Sequence, residues 1–313
     1  MEASNDTSLL YTFLLAEKSV RGVLLDGTIL IQEMQTRHGL DPLETLILGQ
    51  ALLVTALMAS TLKGHDEIGL RIDGSGAVKG LVAEATATGE VRGYLKRVPI
   101  PLAPPLQSLR LDKSFNETEL LNTLNILWGD GFLTVTRYQE EGGQPFSSRV
   151  TLQSGNIGSE VMRYYLLSEQ ISTAIHLQIV FDPQGQVAGA GGLLLQAMPG
   201  ASPTIFAALE QKTQTLLSLG QALADGQEVS PWLNEQFAPF LPAILEERPV
   251  RLQCRCDEKQ TRRLLLHLPL ADLEEMRDHG PFPVEVNCHF CNAHYLFDQK
   301  ALAELCQEKQ SFT

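Results

Sequence analysis

QCRCDEKQTRRLLLHLPLADLEEMRDHGPFPVEVNCHFC, residues 253–291, holds the most specific pattern in this chain. Its ends carry two close pairs of cysteines, Cys254 with Cys256 and Cys288 with Cys291. Two such pairs, separated by a few tens of residues, have the spacing of a tetrahedral zinc site. The upstream pair is unusual because one residue separates its cysteines, where zinc ribbons commonly have two. The sequence predicts that these four thiols bind one zinc ion.

The C-terminal segment, residues 248–313, is predicted to depend on this metal for its fold. At about 65 residues, it is too short for a hydrophobic core alone to supply much net stability. A structural zinc site contributes on the order of 10–16 kcal/mol of apparent binding free energy, which is also folding free energy. Zinc-bound thiolates are the form of cysteine that oxidants attack. The site is therefore either a redox switch, whose oxidation unfolds the segment, or a permanent structural metal site.

The composition is that of a globular protein that does not have a polyanion as its main partner. The chain has 313 residues, of which 44% are hydrophobic and 19% charged, and this length suggests two domains. A net charge of −13 argues against nucleic acid, because phosphate recognition needs concentrated basic charge. Four of the five cysteines have metal spacing, which indicates a reducing compartment, so we expect the cytoplasm.

No targeting or membrane-spanning segment is predicted. The N-terminal residues lack the basic region of a signal peptide. The longest apolar run, residues 43–62, favours a buried helix over a membrane span, because Gln50 interrupts it, Asp41 can cap it and Pro42 fits its first turn. We expect this helix over residues 42–63 and no membrane partner.

Residues 1–199 are predicted to form an α+β core domain, built on a mainly antiparallel sheet with packed helices. Apolar and polar residues alternate around glycine-rich turns, as in β-hairpins, in residues 19–34, 67–98 and 132–155. Helical spacing is found in residues 42–63, 117–128 and 157–170. A last strand is expected in VAGAGGLLLQAMPG, residues 187–200.

Residues 200–247 are predicted to form a helical linker between this core and a small C-terminal zinc-binding redox-switch domain, residues 248–313. One amphipathic helix is expected over residues 203–226, with Leu209, Leu216 and Leu219 near one face. Its apolar face is expected to be buried against another surface.

Other candidate sites in the sequence are better explained by structure. DGSGAVKG, residues 73–80, is a hairpin turn, since its third glycine falls one position late for the dinucleotide fingerprint. The glycines of GAGG, residues 189–192, permit a bulge or close packing. His289 and His294 flank the downstream cysteines, but four thiols already complete a tetrahedral site. Cys306 lies on a predicted terminal helix and favours an apolar role over that of a resolving thiol.

Together with three upstream segments, the cysteine pattern resembles the heat shock protein 33 family, the redox-regulated chaperonins. Those segments are GLVAEATATGEVRGYL (80–95), SGNIGSEVMRYYLLSEQ (154–170) and AGGLLLQAMPGA (190–201). They match segments of the family's core domain in the same order, so the resemblance covers nearly the whole chain. SEQISTA lacks a proline that relatives often carry after the glutamine, and Cys306 is not part of the shared motif.

The resemblance implies an ATP-independent holdase chaperone and not an enzyme. In the family, the cysteines that match Cys254, Cys256, Cys288 and Cys291 hold zinc in the reduced, inactive state. Oxidants convert them to two disulfides, Cys254 with Cys256 and Cys288 with Cys291, and zinc leaves. The switch domain and linker then unfold, and exposed apolar surface binds unfolding client proteins under oxidative stress. Active members form homodimers and hand their clients to foldase chaperones.

Two other classes of protein are compatible with parts of the sequence. A constitutive zinc-ribbon module that binds nucleic acid or protein would use its metal only for structure, but its basic run KQTRR, residues 259–263, is short and surrounded by acidic residues. A zinc enzyme would need an open coordination position, and four thiolates leave none.

Overall fold

The computed structural model describes residues 7–102, 126–140, 143–216 and 218–311. The chain forms two compact units, unit 1 (Met1–Leu252) and unit 2 (Gln253–Thr313). The strands of unit 1 are β1 Ser8–Leu15, β2 Val20–Asp26, β3 Glu67–Gly74, β4 Gly80–Thr86, β5 Glu90–Leu95, β6 Gly131–Tyr138, β7 Phe146–Thr151, β8 Thr173–Phe181, β9 Val187–Ala197 and β10 Ala243–Leu252. Its helices are α1 Thr28–His38, α2 Pro42–Ala59, α3 Ile157–Tyr164, the π-helix Tyr165–Glu169, α4 Pro203–Gln214, α5 Leu219–Ala224, α6 Val229–Phe237 and the 3-10 helix Ala238–Phe240. The elements of unit 2 are α7 Glu258–Leu266, α8 Leu270–His279, β11 Val284–Asn287, β12 His294–Phe297 and α9 Gln299–Ser311.

The ten described strands of unit 1 form one sheet, in the order β7-β6-β3-β4-β5-β10-β1-β2-β9-β8. Neighbouring strands run antiparallel, except that β5 and β10 pair in parallel over two residues. Residues 73–80 join β3 to β4 as the predicted hairpin turn, and β6 pairs with β7 across the second predicted turn. The predicted α+β fold, with a mainly antiparallel sheet, is confirmed.

Helix α2 forms the centre of the core in unit 1. The helix begins at Pro42, as the sequence predicted, and Asp41 occupies the N-cap position but makes no side-chain capping hydrogen bond. Among the helices of the described residues, α2 alone is long and apolar enough to cross a membrane, but 94% of it is buried inside the fold. The prediction of a buried helix is confirmed. Most of the helix predicted at residues 117–128 lies outside the described residues, and 126–128 are helical.

Residues 28–38 correct one prediction. The apolar run that follows Gly27 was expected to continue a hairpin, but it forms helix α1. Leu30, Ile31 and Met34 are buried on one side of this helix, because their spacing of three to four residues matches its turn. Gly39, with φ of 60°, ends the helix in the left-handed conformation that suits glycine.

The helices of the predicted linker are packed into unit 1. Alternate residues of β2 face opposite sides of the sheet. Val23 and Leu25 join the core around α2, whereas Val20 and Leu24 join a second apolar cluster. The residues that α4, α5 and α6 add to this second cluster are Phe206, Leu209, Leu219, Ala222, Val229, Trp232, Leu233 and Phe237. The linker thus covers the second face of the sheet.

The single helix predicted at residues 203–226 is instead two helices, since α4 ends at Gln214 and α5 begins at Leu219. The break lets α5 lie close against the sheet. The Gly220 amide donates a hydrogen bond to Gln178 Oε1 over 2.8 Å, and a Cβ on Gly189 would come within 2.2 Å of the Gly220 carbonyl oxygen. The prediction that the glycines of residues 189–192 permit close packing is confirmed.

Strand β10 follows these helices and pairs with β1. It runs from Ala243 to Leu252, and the next residue, Gln253, is the first of unit 2. The predicted domain boundaries at residues 199 and 247 stay predictions.

Unit 2 has a small apolar core around its β11–β12 hairpin. The hairpin pairs Val284 with Phe297 and Val286 with Tyr295. The buried side chains of this core are Leu265, Leu273, Phe297, Leu302, Leu305 and Cys306. Cys306 is 1% exposed, in agreement with its predicted apolar role.

Candidate metal centre

The upstream cysteines lie on the short segment, residues 253–257, that precedes helix α7 and is neither helix nor strand. This segment is held at its end by Asp257, whose Oδ1 accepts a hydrogen bond of 2.6 Å from the Gln260 amide and so caps the helix. Cys254 and Cys256 lie two and four residues after the end of β10, separated from each other by Arg255.

The downstream cysteines lie on the turn that joins β11 to β12. The Cys288 amide donates to the Ala293 carbonyl over 2.9 Å, and the Asn292 amide donates to the Cys288 carbonyl over 2.8 Å. Asn292 has φ of 58°, a left-handed conformation that asparagine tolerates better than most residues. This tight turn brings Cys288 and Cys291 together.

All four sulfur atoms lie within 4.8 Å of one another. The Sγ atoms of Cys254 and Cys288 are 3.7 Å apart, and those of Cys256 and Cys291 are 3.2 Å apart. Four sulfurs at about 2.3 Å from one tetrahedral ion would be ~3.8 Å apart. All four cysteines are free thiols and are partly exposed. The described structure therefore brings the four predicted ligands close enough to hold one metal ion.

The thiols differ in their proton affinity. Burial, reinforced by hydrogen bonds among the sulfurs, raises the pKa of Cys254 and of Cys291. Burial also acts to raise the pKa of Cys256, but hydrogen bonds from Tyr295 and from neighbouring thiols outweigh it and hold that pKa below its ordinary value. A cation at the centre of the cluster would favour the thiolate form of every one of them.

Tyr295 was not predicted as a residue of the site. Its hydroxyl donates a hydrogen bond to Cys256 Sγ over 3.2 Å. No sequence pattern could have predicted this contact, because Tyr295 lies 39 positions from Cys256 and the two residues come together only in the folded chain. His294, considered as an alternative ligand, is hydrogen-bonded to Glu285 across the hairpin. The group of possible metal ligands found in the described residues consists of the four cysteines, without His294 or Cys306.

The class of protein is thus a two-unit α+β protein whose small C-terminal unit carries a candidate metal centre made of four cysteines. Comparison with known proteins identifies the family. The family model described as Hsp33 protein matches residues 8–298. The chain belongs to the Hsp33 family of chaperones.

Individual relatives agree with this assignment. The 33 kDa chaperonin of Levilactobacillus brevis is 33% identical over 294 residues, which cover 93% of this chain and 95% of that protein. The 33 kDa chaperonin of Lactiplantibacillus plantarum is 31% identical over 285 residues, with 90% and 91% covered. The crystal structure of the 33 kDa chaperonin of Thermotoga maritima, a heat shock protein 33 homologue, matches with a TM-score of 0.83 at 27% identity, covering 98% of this chain and all of that one.

Proposed function

We propose that this protein is a redox-regulated, ATP-independent holdase chaperone that prevents aggregation of unfolding proteins under oxidative stress. The observation that carries the proposal is the cluster of four free thiols within 4.8 Å, placed in a unit with a small apolar core. Membership of a chaperone family supports the binding of client proteins. The protein is not an enzyme in this proposal, because client capture needs exposed apolar surface and no reacting side chain.

The reduced protein holds one zinc ion through Cys254, Cys256, Cys288 and Cys291. The donor set fits zinc, since four thiolates are a common structural ligand set and their sulfur separations suit a tetrahedral ion. Zinc would link the segment before α7 to the β11–β12 turn and so stabilise unit 2. With four protein ligands, this site has no position for a substrate.

Oxidation forms two disulfides, Cys254 with Cys256 and Cys288 with Cys291. Each pair lies on one short segment, so its bond can form even after the two segments separate. Each disulfide forms from two thiolates, which give two electrons to the oxidant. Hydrogen peroxide takes up these electrons together with two protons from solvent and becomes two molecules of water. The sulfur contacts between the segments, Cys254 to Cys288 and Cys256 to Cys291, allow crossed pairing as well. Mass spectrometry of peptides from the oxidised protein distinguishes the two pairings.

Loss of the ligands then unfolds unit 2 and loosens the linker. Strand β10 leads directly into the cysteine segment, so disorder that begins at Gln253 spreads along the backbone toward the helices α4 to α6. Those helices would uncover Phe206, Leu209 and Trp232, which are buried in the folded unit. Such mobile apolar surface suits promiscuous binding, and the net charge of −13 favours solubility of the opened form.

The proposal places the protein in the cytoplasm, where thiols stay reduced until stress. The oxidised form associates as a homodimer and hands its clients to foldase chaperones. Neither nucleic acid nor membrane is a partner, and the acidic composition supports the first of these exclusions.

Aggregation of a thermally unfolding test protein tests the proposal. The zinc-loaded chain is added before and after treatment with hydrogen peroxide at elevated temperature, and zinc release is recorded in parallel. We expect protection from the oxidised protein alone, together with loss of one zinc ion per chain. Equal protection by both forms would instead support a constitutive interaction module with a purely structural metal.

A further inference from the structure

The hydroxyl of Tyr295 points at one sulfur of the cluster. It donates to Cys256 Sγ over 3.2 Å, between residues that are 39 positions apart in the chain. The remaining sulfur contacts described above are made among the thiols themselves. Cys256 therefore accepts a hydrogen bond from a neutral side chain. A thiolate does not need such a hydrogen bond in order to bind a metal ion.

The fold holds this donor in place. Tyr295 lies in β12, where it pairs with Val286 of β11, and its ring packs against the apolar core of unit 2. A tyrosine ring has two rotatable side-chain bonds, so strand pairing and ring packing together leave the hydroxyl little freedom. The donor is thus preorganised toward the sulfur by residues that take no part in binding a metal.

We propose that Tyr295 is a positioning residue that limits the reaction of Cys256 with peroxides. This inference rests on the proposed function. A hydrogen bond to a metal-bound ligand changes its electron density and orientation, and such outer contacts tune metal sites. The donated hydrogen occupies a sulfur lone pair that would otherwise attack the oxidant, so oxidation of Cys256 is slowed while Tyr295 stays in place.

The step that Tyr295 slows is the first oxidation. A lone pair of the sulfur attacks one oxygen of the peroxide, an S–O bond forms, and the O–O bond breaks. The leaving hydroxide takes a proton and becomes water, and the sulfur, oxidised by two electrons, becomes a sulfenic acid. A second thiolate then attacks this sulfur, the S–S bond forms, and the oxygen leaves as water after gaining a proton.

Tyr295→Phe isolates the effect, because it keeps the ring, the strand pairing and the core contacts while it removes the donor. Tyr138→Phe is the matched control, since Tyr138 is also on a strand but lies in unit 1 and is 41% exposed. Full-length zinc-loaded proteins are treated with hydrogen peroxide, zinc release is followed with a metal-binding dye, and oxidised cysteines are identified by differential alkylation and mass spectrometry.

We expect zinc release from Tyr295→Phe to be ~10-fold faster, in the range found when outer contacts of metal ligands are removed. Cys256 should also be oxidised earlier than in the parent protein, and Tyr138→Phe should behave like the parent. Equal release rates and an unchanged order of oxidation in Tyr295→Phe would overturn the inference. Circular dichroism of the zinc-loaded variants shows whether they fold alike.

A second probe separates this inference from the proposed function. Iodoacetamide is applied to the zinc-loaded proteins, in which the metal would hold Cys254 and Cys256 as thiolates with or without Tyr295. It alkylates sulfur without any redox step, so it reports the reactivity of Cys256 even if peroxide does not activate the protein. Faster labelling of Cys256 in Tyr295→Phe, relative to Cys254 in the same chain, supports the role of Tyr295 whatever peroxide does. Equal labelling in the two proteins overturns that role, while peroxide-dependent protection of a test protein would leave the proposed function intact.

Discussion

Unit 1 buries helix α2 almost completely and covers both faces of strands β2 and β9, whereas the apolar core of unit 2 holds six buried side chains. Hydrophobic burial grows with domain size, so a unit of about 60 residues gains little net stability from its core alone. The four thiols lie in the smaller unit. The same chain therefore uses two sources of stability, apolar packing in unit 1 and, in our proposal, a metal in unit 2.

The two units can be followed separately. Both tryptophans of the chain, Trp128 and Trp232, belong to unit 1 and are buried there. Tryptophan fluorescence therefore reports the unfolding of unit 1, and metal content and hydrogen exchange of residues 253–311 report unit 2. The predictions below use this separation.

Removal of the metal should have the largest effect. Cys288→Ser, or a strong chelator, should unfold unit 2, because structural zinc supplies on the order of 10 kcal/mol of folding free energy. In unit 1, the fluorescence of Trp232 on the loosened linker should change, whereas Trp128 should stay buried. Hydrogen exchange measured by mass spectrometry checks this. The control is Cys306→Ala, which alters a cysteine outside the cluster and should retain the metal. If residues 253–311 stayed fully protected from hydrogen exchange in the metal-free protein, unit 2 would not depend on a metal for its stability.

Removal of a buried leucine side chain should lower the free energy of unfolding by a similar amount in either unit, but it should affect zinc binding only in unit 2. Leu273→Ala in unit 2 and Leu53→Ala in unit 1 each remove a side chain with 0% exposure, and each should cost about 2–5 kcal/mol. In unit 2, folding and metal binding are linked, so a loss of even 2 kcal/mol should weaken apparent zinc affinity ~30-fold. Competition with a zinc chelator measures that affinity. Leu53→Ala should leave the affinity unchanged and lower the midpoint of urea unfolding seen by fluorescence.

Mild acid should destabilise unit 1 through His176. This residue lies on β8 opposite Leu193, its Nε2 has no hydrogen-bond partner among the described residues, and burial lowers its pKa to about 4. Because the folded pKa lies below the ordinary value of 6.5, the stability from a neutral imidazole is full above pH 6.5 and is lost as pH falls toward 4. The loss should reach up to about 3 kcal/mol.

Urea unfolding followed by tryptophan fluorescence at several pH values tests this. His176→Phe should flatten the dependence between pH 6.5 and 4 while the parent protein loses stability. Acid also protonates thiolates and weakens metal binding in unit 2, so zinc release should keep its pH dependence in this variant. A parent midpoint that does not change over that range would contradict the role of His176.

Two helix caps should give the smallest effects. Asp257 Oδ1 caps α7 in unit 2, and Asn156 Oδ1 caps α3 in unit 1 by accepting a hydrogen bond of 2.9 Å from the Ser159 amide. Replacing either residue by alanine should cost ~1 kcal/mol. Asp257→Ala should release zinc at a lower urea concentration than the parent protein. Asn156→Ala should lower only the midpoint of urea unfolding measured by tryptophan fluorescence. If Asp257→Ala instead changed the fluorescence midpoint and Asn156→Ala changed zinc release, the two units would not be independent in stability.

The cysteine cluster could be predicted because its information is local. Two close pairs of cysteines can hardly serve any purpose but metal binding or disulfide formation in a chain of this composition. Helix α2 was also predictable, since its first-turn proline and its long apolar run both indicate a buried helix. Helix α1 was not, because a short apolar run after Gly27 suits a strand or a helix equally, and packing of Leu30 and Met34 decides between them.

Residue identity and near-neighbour spacing were enough to predict the four cysteines of the candidate metal centre, the α+β class and the family. Only the folded structure shows that the linker helices cover the second face of the sheet and that the helix predicted at residues 203–226 is two helices. The hydrogen bond from Tyr295 to Cys256 is likewise visible only there. The physical reason is that these features depend on contacts between residues far apart in the chain. Periodicity shows that a helix has an apolar face, but only the assembled core shows which surface covers it.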